Sequence, residues 1–251
     1  MRIAIVFLAA VLVTPAYASS CSARSGARTT ALVELYTSEG CSSCPPADRW
    51  LSGLGSRYPT NSVVPLALHV DYWDYIGWKD PFAKREFSQR QRRLSLLQRS
   101  ALVYTPQVLL QGRDFAPWGT AQFDRAIVAI NAQPARASLE LEILAASAQA
   151  LSLRVRAAVA DTALARQAVL YVAAYENRLE SRVAAGENRD RVLRHDYVAL
   201  EWQGAYGLGE RELSLPLLPK GSAADSGVVA FVQNRGTGEV LQTVSLGACS
   251  P

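Results

Sequence analysis

Two cysteines, Cys41 and Cys44, stand three positions apart and are the residues of this chain best suited to do chemistry. The short apolar run Ala31–Tyr36 precedes them, and Pro45, Pro46 and a helix-forming stretch from Ala47 to Leu54 follow. A helix N-terminus presents unpaired N–H groups and the positive end of a dipole, which together stabilise a thiolate. Cys41 is therefore the expected nucleophile, with Ser42 and Ser43 as neighbouring hydroxyl donors. Cys44, one turn on, can attack a mixed disulfide and release the product. Half of a zinc site is the competing reading, but zinc needs a second pair of nitrogen or sulfur ligands. Only Cys21, Cys249, His69 and His195 remain to supply it, and none of them is paired in sequence. Redox chemistry is preferred, no metal is assigned, and a dithiol pair of this kind calls for no cofactor.

The elements that must position this pair are legible. Ala31–Tyr36 reads as a buried strand, and helix begins at Pro45 or Pro46, because proline is tolerated in a helix's first turn. Val63–Val70 is a second buried strand, Pro81–Gln98 a helix, and Val103–Leu110 a strand interrupted by Thr105 and Pro106. A short strand near Phe115 and an amphipathic helix over Thr120–Asn131 complete an α/β layer with a mixed sheet. Beyond Gln133 and Pro134 the pattern changes. Leu139, Leu141 and Ile143, then Leu151, Leu153 and Val155, alternate with polar residues, as strands with one wet face do. Further strand candidates are Ala168–Tyr175, Val192–Trp202, Arg211–Leu215, Val228–Gln233 and Val240–Leu246. They predict an antiparallel β-sandwich-like domain over residues 134–251, after a first domain over residues 19–133. Residues 19–30 are small and polar and read as a leader with little structure.

A C-x-x-C that closes a strand and opens a helix is the thioredoxin arrangement, so the first domain is expected to be thioredoxin-like. In such proteins a cis-proline before an antiparallel strand packs beside the cysteines, and the segment around Thr105 and Pro106 resembles it. Pro106, with Thr105, is expected to orient an extended substrate. Thioredoxins also carry a buried carboxylate that exchanges a proton with the second cysteine. Glu34 on the first strand is the candidate, one residue out of register and Glu in place of Asp. The C-terminal ends of the two parallel strands share one sheet edge, where α/β proteins bind ligands. The aromatic segment Asp71–Asp80 falls there, so Tyr72, Trp73 and Trp78 are candidates for a substrate-binding wall. His69 is expected to be a hydrogen-bonded structural histidine. His195 is assigned to a strand surface, with the face toward the first domain as the alternative.

The segments Glu34–Asp48, His69–Phe82 and Tyr104–Gln107 resemble an uncharacterised family of bacterial secreted proteins, domain of unknown function family 1223. The likeness continues through Gly186–Arg189 and Leu193–Asp196 and so covers nearly all of the mature chain. It implies a thioredoxin-like fold and export, and no particular reaction.

Bulk properties set the remaining bounds. Of 251 residues, 49% are hydrophobic and 19% charged, enough apolar material for a substantial core. The net charge of +4 is spread along the chain apart from Arg90, Arg92 and Arg93, which excludes the focused basic stripe of a nucleic-acid binder. Arg2, the apolar run Ile3–Val13 and the small–x–small pattern ending at Ala18 predict a signal peptide over residues 1–18, cleaved after Ala18. The run is shorter than the ~20 residues of a membrane span, so no span remains after cleavage. The destination is periplasmic or secreted, where Cys21 and Cys249, near the two ends of the mature chain, can form a disulfide. The expected function is that of a thiol–disulfide oxidoreductase acting on a protein or peptide. A soft-metal (copper) carrier and a non-catalytic binding protein with a structural Cys41–Cys44 bond are the alternatives.

Overall fold

A computed structural model describes residues 21–147, 150–216, 225–247 and 249. The expected signal peptide lies outside the described residues. The chain opens with β1 (Ser22–Arg24), β2 (Ala31–Thr37), α1 (Pro45–Ser52), α2 (Leu54–Arg57) and β3 (Val63–His69). A 3-10 turn over Asp71–Ile76 leads to α3 (Arg85–Leu97), β4 (Gln107–Leu110), β5 (Arg113–Asp114) and α4 (Ala121–Asn131). Then come β6 (Ser138–Ala146), β7 (Ala150–Ala158), α5 (Thr162–Ala165), β8 (Ala168–Glu176), β9 (Leu179–Arg182) and β10 (Val192–His195). The last elements are β11 (Val198–Tyr206), β12 (Gly209–Pro216), β13 (Ser226–Asn234) and β14 (Val240–Gly247). It is a mixed α/β protein built mostly of strands.

The central element is an eight-stranded sheet in the order β14-β13-β8-β11-β3-β2-β4-β5. β2 and β3 run parallel with Thr37 opposite His69, and β4 returns antiparallel with Gln107 opposite Tyr36. β2 and β3 are buried along their whole length, as strands covered on both faces must be. On one face Leu32, Tyr36, Leu66 and Leu68 pack with Phe87 and Leu94 of α3. On the other, Val33, Leu35 and Ala67 pack with Ala47 and Leu51 of α1 and with Phe123 and Ile127 of α4. Farther along that second face, a four-stranded sheet, β1-β6-β7-β12, covers Leu170, Val172, Val228 and Ala230.

The second half therefore differs from a free-standing sandwich. Its strands are divided among three sheets: β6, β7 and β12 in the four-stranded one, β9 and β10 in a two-stranded one, while β8, β11, β13 and β14 extend the sheet that β2 and β3 begin. The junction is parallel pairing of Val198 with Ala67, reinforced by the Ala67 amide donating to the Tyr197 carbonyl at 2.8 Å. Within the segment expected to have little structure, Ser22–Arg24 forms a strand that pairs antiparallel with Glu140–Glu142. Cys21 is bonded to Cys249, which ties the start of the described chain to its end.

Candidate functional site

Cys41 and Cys44 form a disulfide at the mouth of α1, with Cys44 as the residue that precedes the helix. Both are buried, Cys41 to 1% exposure and Cys44 to 0%, while Ser42 and Ser43 between them face solvent. Cys41 Sγ lies 3.4 Å from Ser43 Oγ. Pro45 and Pro46 fill the first helical turn, where their missing N–H groups leave no intrahelical bond unmade.

The cover over the pair comes from two segments. The 3-10 turn packs Trp73 and Ile76 onto Gly40, where a Cβ would come within 2.9 Å of Trp73 Cβ. Trp73 Nε1 also donates to Thr105 Oγ1 at 2.7 Å, which links this turn to the residue before Pro106, across a cis Thr105–Pro106 bond. The second segment is the connection between β9 and β10. Asn188, fully buried, donates from Nδ2 to the Glu39 carbonyl at 2.8 Å and the Cys41 carbonyl at 3.0 Å. Glu187 accepts from the Ser42 amide at 2.9 Å, and hydrogen bonds from the Ser42 hydroxyl and then from this amide lower the Glu187 carboxyl below its ordinary value.

Behind the disulfide lies a cluster of three carboxylates and two imidazoles, Glu39, Asp48, Asp80, His69 and His195, all buried. His195 Nε2 is 3.1 Å from Glu39 Oε1, and Trp78 Nε1 donates to Glu39 Oε2 at 2.8 Å. Asp80 Oδ2 accepts from the Glu39 amide at 2.9 Å and lies 2.7 Å from His69 Nδ1. Asp48 Oδ1 accepts from Thr37 Oγ1 at 2.7 Å, and its Oδ2 is 3.9 Å from His195 Nδ1. The two imidazole rings meet edge to face with centroids 4.9 Å apart. Burial raises the Asp48 carboxyl above its ordinary value, against the pull of both histidines. Burial alone would lower His69 and raise Asp80; their mutual attraction outweighs it and moves each the opposite way.

A family model described as "Protein of unknown function (DUF1223)" matches residues 32–233, a span that holds every residue of this site. The chain belongs to that family. No curated protein matches it. Among solved structures, a protein of Agrobacterium tumefaciens superposes with a TM-score of 0.64 at 22% identity, over 89% of this chain and 96% of that one. HBP35 of Porphyromonas gingivalis superposes with a TM-score of 0.64 at 15% identity, over 90% of this chain and 78% of that one. At such identities the likeness is one of fold.

The structure gathers Cys41, Cys44, Thr105, Pro106, Trp73 and Trp78 at one end of β2, but it sets Glu34 apart. Along β2, odd-numbered side chains face α1 and even-numbered ones face α3, so Glu34 points away from the cysteines. It pairs instead with Arg90 Nε at 2.7 Å, with Glu34 0% and Arg90 8% exposed. Tyr72 turns toward α3, its hydroxyl donating to Gln91 Oε1 at 3.2 Å. His69 is hydrogen-bonded as expected. His195 is 2% exposed and sits inside the cluster rather than on a strand surface, because β10 folds back over α1. Sequence pattern alone does not mark Glu39, Asp48, Asp80 or Asn188. One signal was available: Asp48 follows Cys44 by four positions and so shares its helix face. Among the described residues, no group of three or more His, Cys, Asp or Glu side chains is placed to hold a metal ion. No helix among them is long and apolar enough to cross a membrane.

Proposed function

We propose that the first half of this chain is thioredoxin-like and that the protein is an exported thiol–disulfide oxidoreductase acting on proteins or peptides. The observation that carries this reading is the Cys41–Cys44 bond at the N-terminus of α1, backed by buried acid–base groups. Structural disulfides are commonly packed in apolar surroundings; this one has five titratable side chains gathered behind it, the kind of environment that tunes proton transfer at functional sites. Cys41 is the nucleophile and Cys44 the resolving thiol. Thr105 and Pro106, with Trp73, form the wall against which an extended substrate lies. Two disulfides fit an oxidising compartment, and export into the periplasm or beyond accounts for them.

One observation favours a different reading: Cys41 is 1% exposed beneath Asn188 and Trp73, so the bond is shielded as a permanent structural one would be. Equilibration of the purified protein with glutathione buffers separates the two. An oxidoreductase gives a reversible two-electron couple that disappears in Cys41→Ser. A potential below about −300 mV, the range of structural disulfides, means that the bond is a staple and the oxidoreductase reading is wrong.

A further inference from the structure

We propose that the tip of the β9–β10 hairpin, residues 184–190, is an autoinhibitory cover. It occupies main-chain groups beside Cys41 that an extended polypeptide substrate would pair with, and it must lift before a thiol reaches the bond. This rests on the oxidoreductase reading of the cysteine pair. β9 and β10 form a sheet of their own, with Val192 opposite Arg182 and His195 opposite Leu179. A two-stranded hairpin is marginal in water by itself, so what it packs against decides where it rests. Its base is fixed, because Leu179 and His195 are buried and His195 Nε2 lies 3.1 Å from Glu39 Oε1.

The tip is held in another way. Asn188 Nδ2 donates to the carbonyls of Glu39 and Cys41, and the Ser42 amide donates to Glu187. These are main-chain groups of residues 39–42, the kind by which a protein captures an extended peptide. The tip therefore grips the redox loop as a bound peptide would. Its apolar contact is with the 3-10 turn: a Cβ on Gly186, where φ is +76°, would stand 3.1 Å from Ile76 Cδ1 and 3.4 Å from Trp78 Cβ. Tip and turn thus close over Gly40 and Cys41 from two sides, and Cys41 beneath them is 1% exposed. The last rung under the tip is the Val183 amide donating to the Arg191 carbonyl at 3.0 Å, with Val183 fully buried. Above it, the Arg189 amide donates to the Gly186 carbonyl at 3.3 Å, and Arg191 Nη1 donates to Asn188 Oδ1 at 3.1 Å. Those bonds are internal to the hairpin and survive its lifting, so the tip moves as a unit. Ala184, Glu187, Arg189 and Asp190 are exposed, and segments with so little buried surface are the ones that open locally.

With the tip lifted, the Glu39 and Cys41 carbonyls and the Ser42 amide pair with the main chain of the incoming polypeptide. Its cysteine thiolate attacks Cys41 Sγ, the Cys41–Cys44 bond breaks, and the electron pair of that bond leaves on Cys44 Sγ. The products are a mixed disulfide between substrate and Cys41 and a Cys44 thiolate. Tip and substrate compete for the same groups, so the closed hairpin protects the bond until a polypeptide takes its place.

The test uses the full mature chain. Reduction of Cys41–Cys44 by dithiothreitol is followed across urea concentrations below the unfolding transition. Sensitivity to urea scales with the surface exposed, so local lifting is expected to give a much shallower slope than global unfolding. Gly186→Ala, which crowds Ile76 and strains a left-handed backbone position, is expected to speed reduction about tenfold. A wild-type slope equal to that of global unfolding, or a folded Gly186→Ala no faster than wild type, overturns the cover. Should Gly186→Ala not fold, a second measurement decides. An unstructured cysteine-containing peptide is joined by a disulfide to Cys41 of the Cys44→Ser protein, and exchange of the Asn188 side-chain amide with water is measured by NMR. Exchange as fast as in an exposed asparagine supports displacement of the tip, and exchange as slow as in the oxidised wild type overturns it. The glutathione couple is read separately. A reversible couple beside any of these failures overturns the cover alone, whereas the absence of a couple overturns the oxidoreductase reading and the cover with it.

Discussion

At the scale of single residues, the two buried ion-pair systems of this protein have different duties. Glu34 and Arg90 are far from any chemistry, and the Arg90 guanidinium lies among the rings of Tyr171, Trp202 and Phe231 at 4.8–5.2 Å from their centroids. Removing one partner leaves a buried charge uncompensated, so Arg90→Ala is expected to cost about 3–5 kcal/mol in urea unfolding. It should leave the Cys41–Cys44 potential where it was. A shifted potential would mean that Glu34 does reach the cysteines. The His69–Asp80 pair makes stability depend on pH. Asp80 is lowered, so its contribution is present above the unfolded carboxylate value of about 3.9 and is lost as pH falls through the folded one. His69 is raised, so its contribution is present below the unfolded imidazole value of about 6.5 and is lost as pH rises through the folded one. Asp48 is raised by burial, so its contribution is present below the unfolded carboxylate value and is lost as pH rises through the folded one. The urea midpoint is therefore expected to be higher at about pH 5.5 than at about pH 8.5, with Asp80→Asn reducing the difference. Equal midpoints in the wild type would contradict it.

At the scale of elements, the strand–cysteine–helix unit was legible because every part of it is local. A strand, two cysteines and two prolines in succession dictate a helix mouth with sulfur at it. The alternation in β6 and β7 was legible for the same reason: Leu139, Leu141, Leu151 and Leu153 are buried and their neighbours are not. What covers the cysteines was not legible, since Asn188 is 147 positions from Cys41 in sequence. Nothing in the residues around Asn188 announces that its amide will serve two carbonyls beside a disulfide. Asn188→Ala leaves both carbonyls buried without that donor, at about 1–3 kcal/mol each. The connection between β9 and β10 should then loosen. The expected outcome is faster reduction of Cys41–Cys44 by dithiothreitol with a clear loss of thermal stability. A rate no faster than wild type would show that this segment does not limit access to the bond.

At the scale of the whole molecule, the change of pattern near Pro134 predicts a domain boundary, and the eight-stranded sheet holds strands from both sides of it. Strand existence can be read from apolar runs, but strand partners cannot. β8 and β13 are buried nearly throughout, so they carry no wet-face alternation to indicate which sheet they join. The consequence is testable with a chain ending at Ala132. Such a chain keeps β2, β3, β4 and α1 but loses β11, which pairs with β3 at Val198, and β8 and β13 beyond it. The β3 edge would be left with unpaired N–H and C=O groups, beginning with the Ala67 amide. Tyr36, Leu66, Leu68 and Phe87 would lose Tyr171, Ala173, Val229 and Phe231 from their shared core. Glu39 and Cys41 would also lose His195 and Asn188, which come from beyond the cut. An exposed apolar strand edge beside an opened core is an aggregation site, so the shortened chain is expected to aggregate or to unfold without cooperativity. A soluble monomer with a sharp urea transition would show instead that residues 19–132 fold alone. In that case the Cys41–Cys44 potential of the fragment, set against that of the full chain, would report what the second half contributes to the stability of this bond.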